Sequence, residues 1–147
     1  MGKSFKIRRG IAILRGAVIE FTQELYGTYM LYLEITEPSS VHIKNKEIFL
    51  ENGFYIYIGS AFGVGGLSSR IHRHLRRKKK PHWHIDQITS KDICQFHGVA
   101  VFPNEKIECE ISNSLTKSNK LKPIKDFGNS DCKTKCISHF FYIDPEF

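Results

Sequence analysis

Arg70 and His74 stand four residues apart in a stretch where Leu67, Ile71 and Leu75 recur with helical spacing. At about 100° per residue, Arg70 lies about 60° and His74 about 20° to one side of Leu67, so both flank the buried stripe on one edge. Glu108 holds a comparable place on a later helical stretch, about 20° beyond Leu115 at the edge of the Ile107, Ile111 and Leu115 stripe, whereas Glu110 falls about 60° outside the other edge. Glu108 is the acid better placed for a cleft. Tyr29 and Tyr57 sit in two strongly apolar, aromatic runs. A guanidinium has forked donors that match phosphate oxygens, and a carboxylate suits a hard divalent cation that keeps most of its waters. Tyrosine and histidine can orient or deprotonate a water. Taken singly, each has an ordinary reading: strand aromatics with satisfied hydroxyls, a solvated helix charge, a packed histidine, a surface carboxylate.

These side chains need elements to hold them. Gly27 to Ile35 is apolar on both faces, as a central strand is. Phe54 to Gly59 is a second strand, with Phe54, Ile56 and Ile58 on one face and Tyr55, Tyr57 and Gly59 on the other. The loop Ala61 to Gly66 turns into a helix near Leu67, which Pro81 stops; it is no phosphate-cradling P-loop, because no Gly-Lys-Ser/Thr follows. Arg73, Arg76 and Arg77 spread around that helix's exposed arc. Val41 to Lys44 and His97 to Phe102 read as further strands, Asn104 as an N-cap for the Ile107 to Leu115 helix, Lys117 to Lys122 as a polar loop, and Phe140 to Ile143 as a last apolar run. Ile11, Leu14, Val18, Phe21 and Leu25 have helical spacing, against a competing hairpin that turns near Arg15-Gly16.

At 147 residues, with 41% hydrophobic and 25% charged residues, the chain fits one domain with its own core. No apolar run approaches the roughly 18 residues of a membrane span, and no signal peptide is legible, so the expectation is a soluble, cytoplasmic protein with no membrane partner. Lys and Arg number 22 against 15 acids, for a net charge of +7. The segment from Arg70 to Lys80 alone holds seven basic residues and no acid, so Arg73, Arg76, Arg77, Lys78, Lys79 and Lys80 make the footprint of a polyanion-binding surface. Two clusters remain. His82-Trp83-His84-Ile85-Asp86 reads as structural, with Trp83 packed and His84 hydrogen-bonded near the site. Cys132, Cys136 and His139, with Cys109, have the ligand types for Zn²⁺, but the spacing is not a paired CxxC, and buried thiols beside a site-facing His139 are preferred.

Gly27-Thr28-Tyr29 followed by Tyr57-Ile58-Gly59 resembles the paired motif of the GIY-YIG nuclease superfamily, with Thr28 replacing Ile. Gly53 to Ala61, Gly65-Gly-Leu67, Arg73-His74-Leu75, His82 to Asp86, Glu108-Cys109, Gly128 to Cys132 and Ser138-His139 resemble the branch called DUF123, which also occurs fused to endonuclease III-type proteins. The resemblance runs from about Tyr26 to Tyr142 and leaves residues 1–25 as an extension of unknown role, with 26–147 as the domain. It implies an α+β fold, a small central antiparallel or mixed sheet flanked by helices, and a phosphodiester-cleaving site that uses one Mg²⁺ or Mn²⁺. Carried over by position, Arg70 holds the scissile phosphate, Glu108 binds the metal, and Tyr57, Tyr29 or His74 positions or activates water. His84, His139 and Glu110 are supporting candidates. The implied partner is nucleic acid, DNA ahead of RNA. Two rivals stand beside the nuclease: a non-catalytic nucleic-acid-binding module for a repair or RNA-processing system, and a structural zinc protein.

Overall fold

Ile35, Leu33, Leu31 and Tyr29 alternate along one strand with their side chains fully buried, and that alternation sets the layer on which the site is built. The computed structural model describes residues 25–146 apart from 131 and 133, together with strand backbone at 4–6, 10–13 and 18–20. Elements follow in the order β1 (Ser4–Lys6), β2 (Gly10–Ile13), β3 (Val18–Glu20), β4 (Gly27–Ile35), β5 (Ser39–Ile43), β6 (Lys46–Leu50), β7 (Gly53–Ala61), α1 (Gly66–Leu75), α2 (Asp86–Thr89), β8 (Cys94–Pro103), α3 (Glu108–Thr116), β9 (Leu121–Pro123) and β10 (Phe140–Ile143). The fold is α+β.

The main sheet runs β2-β8-β4-β7-β10-β9 with every neighbouring pair antiparallel. Five of its strands lie within 26–147, and β2 adds an edge from the N-terminal segment. Among the described residues, parallel pairing is confined to β1 and β3. The helix expected over 11–25 is therefore replaced at 10–13 and 18–20 by strand; its remaining positions at 14–17 and 21–24 lie outside the described residues. Nor do β2 and β3 form the alternative hairpin, since β2 pairs with β8 and β3 with β1. Pairing at a sheet edge has outweighed a helical apolar spacing built partly from β-branched residues.

Register brings the two tyrosine strands together, with Tyr29 opposite Gly59 and Leu31 opposite Tyr57. The Tyr29 ring lies across Gly59, where a Cβ would overlap its hydroxyl and ring carbons, so glycine is required here by close approach. α1 and α2 pack their Leu67, Ile71, Ile85 and Ile88 into the same core as the odd-numbered residues of β4 and β7. β5 and β6 form a separate hairpin through Lys44 and Asn45, both with positive φ (49° and 65°), the conformation of a type I′ turn. The Gln87 side-chain amide ties that hairpin to α2, accepting from the His42 N–H at 2.8 Å and donating to its carbonyl at 3.0 Å. Lys117 to Lys122 is not all loop, since β9 begins at Leu121.

α1 ends earlier than Pro81. It stops at Leu75, and Arg76 is already extended. Lys79 Nζ turns back to donate to the carbonyls of His74 (2.9 Å) and Arg73 (3.2 Å), satisfying the last turn. Arg77 donates to the carbonyls of Lys91 and Cys94. Arg73 is not on an exposed arc: it makes a bidentate pair with the fully buried Asp86, at 2.9 and 2.8 Å. Asn104 is not an N-cap either; it takes positive φ (62°) in a turn, and α3 starts four residues later at Glu108.

Asp86 also accepts the backbone N–H groups of His82 and Trp83. Burial by itself raises its pKa, but the Arg73 guanidinium and the two N–H donors outweigh that and hold it down at about 2. Removing one member of such a pair leaves a buried charge unsatisfied. Asp86→Ala is expected to destabilise the fold by about 3 kcal/mol or more in urea unfolding, whereas Arg76→Ala, at an exposed side chain with no hydrogen bond or ion pair among the described residues, is expected to change it by less than about 0.5 kcal/mol.

Candidate functional site

The site is built where β4, β7 and α1 meet the start of α3 and the β9–β10 loop. Tyr29, Tyr57, Gly59, Arg70, Trp83, Glu108, Gly128, Cys132 and His139 line a cleft of about 90 Å³, room for on the order of three waters. The sequence-derived candidates Tyr29, Tyr57, Arg70 and Glu108 thus converge on one cavity. His74 lies behind it, with Nε2 2.6 Å from the Tyr29 hydroxyl. A larger groove of about 510 Å³ lies on the opposite face of the sheet, lined by residues such as Met30, Phe54 and Ile56, with Tyr32 and His97 as its titratable members. Its lining is largely apolar and carries no converging charges, in contrast to the smaller cleft.

Arg70 lies half-buried, its guanidinium 4.3 Å over the Trp83 ring. Arg73 lies at the same distance over that ring, but its charge is spent on Asp86. No carboxylate pairs with Arg70 among the described residues. Glu108, on the first turn of α3, has His139 as its ion-pair contact among the described residues, with Nδ1 4.0 Å from Oε2. A cation and an anion therefore line one small cleft without pairing to each other, an arrangement that leaves both free for a ligand carrying the opposite charges. Glu110, on the same turn, is exposed and outside this cleft.

Thr28 was not singled out as a site residue, yet it positions α3. Its hydroxyl donates to the Glu105 carbonyl (2.8 Å) and accepts from the Ile107 N–H (3.0 Å), tying the approach to Glu108 directly to the strand that carries Tyr29. Only its departure from the GIY pattern marked it in the sequence. Asp86 was likewise missed as the group that orders the Trp83 turn. His84, as expected, is hydrogen-bonded near the site: its Nδ1 accepts from the Gly128 N–H at 3.0 Å.

Of the basic stretch, Arg73, Arg77 and Lys79 are bound into the fold, while Arg76, Lys78 and Lys80 are exposed and their side chains make no hydrogen bond or ion pair among the described residues. The free cationic surface of this stretch is thus narrower than its residue count suggests. No described helix is long and apolar enough to cross a membrane.

Three of the cysteines gather with His139, an arrangement compatible with the zinc alternative of the sequence reading. A sulfur from each of Cys109, Cys132 and Cys136 and a ring nitrogen of His139 all lie within 4.8 Å of one another, a Cys₃His group that could hold a metal ion. Burial raises the thiol pKa values. At Cys132 the donors from Thr134, the neighbouring thiols and the Cys136 N–H overcome it and bring that thiol down, while Cys109 and Cys136 stay raised.

A family model for a domain of unknown function, DUF123, matches residues 28–147. The chain belongs to the DUF123 family. That match takes in the sheet from β4 onward, every residue of the cleft and the Cys₃His group. No curated protein and no solved structure matches this DUF123 chain.

Burial raises the pKa of Tyr29, with the Tyr57 hydroxyl adding to it and Arg70 opposing; burial likewise raises Tyr57, against Arg70. Both hydroxyls hold their protons at neutral pH. His74, fully buried, is pushed down to about 3 by burial and then by Lys79, so it is neutral. Its Nδ1 has no hydrogen-bond partner among the described residues. His84 is also lowered, by burial and by Lys44. In the unfolded chain both imidazoles take a proton near pH 6.5 and in the folded chain only at lower pH. Their contribution to stability is therefore present above about pH 6.5 and is lost as pH falls below it. Unfolding free energy from urea titrations is expected to decline between pH 7 and pH 5, with a slope of up to about 1.4 kcal/mol per pH unit for each such histidine, and His74→Gln is expected to flatten it.

Proposed function

We propose that this DUF123 chain is a GIY-YIG-type nuclease that hydrolyses nucleic-acid phosphodiester bonds with one divalent cation in the cleft. The observation that carries the reading is that Arg70, with no carboxylate partner among the described residues, and Glu108, whose ion-pair contact there is His139 at 4.0 Å, line one small cavity walled by Tyr29 and Tyr57 without pairing to each other. A phosphodiester brings an anion for the first and, with its counter-cation, a charge for the second.

The donor set fits a hard cation. Glu108 supplies one carboxylate oxygen, its side chain is 22% exposed, and waters with a substrate phosphate oxygen complete the shell that Mg²⁺ or Mn²⁺ prefers. Such a cation, when bound, neutralises phosphate charge and makes its bound water more acidic. Every other contribution belongs to the chain. Arg70 holds the scissile phosphate through forked donors, and its stack on Trp83 keeps the guanidinium from collapsing onto Glu108. Charge that builds on the phosphoryl oxygens during attack meets a donor already in place, the preorganisation that usually carries the largest share of catalysis.

Tyr29 and Tyr57 orient the attacking water. Their raised hydroxyls and the lowered His74 make proton transfer from Tyr29 to His74 run uphill, so the 2.6 Å contact serves to lock the Tyr29 hydroxyl rather than to relay a proton. Exposed Arg76, Lys78 and Lys80 extend the binding surface along the backbone of a strand, where phosphate contacts set position and not sequence. DNA stands ahead of RNA as substrate.

A panel of labelled single-stranded, duplex and branched DNA and RNA, incubated with Mg²⁺, Mn²⁺ or EDTA, tests the reading. Metal-dependent cleavage is expected on at least one substrate, with kcat reduced by about 10²-fold or more in Arg70→Ala and Glu108→Ala while salt-sensitive binding persists. Tight salt-sensitive binding with no product from any substrate would instead mark a non-catalytic nucleic-acid-binding module.

A further inference from the structure

Cys109 is the second residue of α3, and Cys132, Cys136 and His139 lie in the chain between β9 and β10. The two segments meet through these four side chains. Cys132 Sγ is 3.0 Å from Sγ of both Cys109 and Cys136, and all the cysteines are free. His139 is 3% exposed, and its Nε2 is buried with no hydrogen-bond partner among the described residues. A polar nitrogen left so is a cost to the fold. Three sulfurs and an unsatisfied imidazole in one place are hard to explain as packing alone.

We propose that Cys109, Cys132, Cys136 and His139 form a closed, four-ligand structural site for Zn²⁺ that clamps the start of α3 to the β9–β10 connection. Three thiolates and one imidazole are a soft donor set of the kind that selects zinc over Mg²⁺ or Ca²⁺. Four protein ligands leave no open position, which separates this site from the single-carboxylate cleft beside it. A disulfide explains less: it would join two sulfurs, leaving the third thiol and His139 unused, and 3.0 Å is well beyond a bond of about 2.05 Å. With Zn–S near 2.3 Å, tetrahedral geometry spaces the sulfurs by about 3.8 Å. Cys109 and Cys132, both only half-buried, can open by that difference through side-chain rotation. Coordination through Nε2 satisfies the orphaned nitrogen and turns Nδ1–H toward Glu108, whose Oε2 already lies 4.0 Å away. A ligating histidine commonly gives its other N–H to a carboxylate.

Such a clamp acts on position. Cys109 is covalently next to Glu108, and Gly128 and His139 also line the cleft, so the zinc would fix the distance between α3 and the opposite wall. The inference rests on the cluster's geometry and is independent of the nuclease reading.

The test uses the full chain, reduced, stripped with a chelator and titrated with Co²⁺ and then Zn²⁺. The expected result is one Co²⁺ per chain, with thiolate-to-cobalt charge-transfer absorption and the intense visible bands of a tetrahedral site, displaced by stoichiometric Zn²⁺. Cys132→Ser and His139→Ala should weaken Zn²⁺ affinity by 10²-fold or more, while Cys94→Ala, in the core away from the cluster, should leave it unchanged. If a ligand variant fails to fold, the wild-type titration still decides. The proposal is overturned if fully reduced wild type binds no stoichiometric Co²⁺ or Zn²⁺, if Cys94→Ala weakens binding as much as the ligand variants, or if mass spectrometry finds a disulfide within the cluster in place of bound metal.

Discussion

The buried bidentate pair between Arg73 and Asp86 holds the rest of the site in place. It joins the last turn of α1 to the segment that opens α2, and the same carboxylate collects the N–H groups of His82 and Trp83. Trp83 is thereby set beneath Arg70, and His84 two positions from Asp86 reaches Gly128 across the cleft. A buried ion pair is no strong source of stability, because desolvation consumes most of the attraction. Its contribution here is specificity of position: one geometry satisfies all the donors of Asp86, and that geometry presents Arg70 to the cavity.

The electrostatics of the cleft follow from what is already paired. Arg73 is neutralised, Arg77 is bound to carbonyls and Lys79 caps α1, so among the described residues the cationic charge left at the cavity is that of Arg70. Glu108 faces it from α3, carried there by Thr28 on one side and by the Cys₃His group on the other. Buried tyrosine hydroxyls and a neutral His74 add dipoles without adding charge. The cavity is small, and the Arg70 guanidinium is held at it by its stack on Trp83 rather than left mobile.

Much of this was legible in the sequence. An apolar, aromatic run on both faces marked β4, face alternation marked β7, glycines marked the turn into α1, and helical-wheel positions separated Glu108 from Glu110. What failed had partners distant in the chain. A wheel that places Arg73 and Arg77 on an exposed arc cannot know that Asp86 and the Lys91 and Cys94 carbonyls will fold over them. Asn104 has the side chain of an N-cap, but its tolerance of left-handed backbone was used for a turn instead. The residues around 11–25 satisfy a helical spacing and a strand composition at once, and a free edge on β8 decided between them at 10–13. The Cys₃His group was legible in its ligand types but ranked behind buried thiols, because Cys109 arrives from α3, 23 residues before Cys132, and the local spacing is not a paired CxxC.

The central claim is that Arg70 and Glu108 bind a phosphate and a divalent cation together, across one cleft. Mn²⁺ affinity of the full chain, measured by electron paramagnetic resonance with and without a non-hydrolysable phosphorothioate oligonucleotide, tests it most directly. The oligonucleotide is expected to tighten Mn²⁺ binding by about tenfold, a coupling of about 1.4 kcal/mol, and Glu108→Gln and Arg70→Ala are each expected to abolish the coupling. Mn²⁺ binding that ignores the oligonucleotide, or coupling that survives both substitutions, would contradict it.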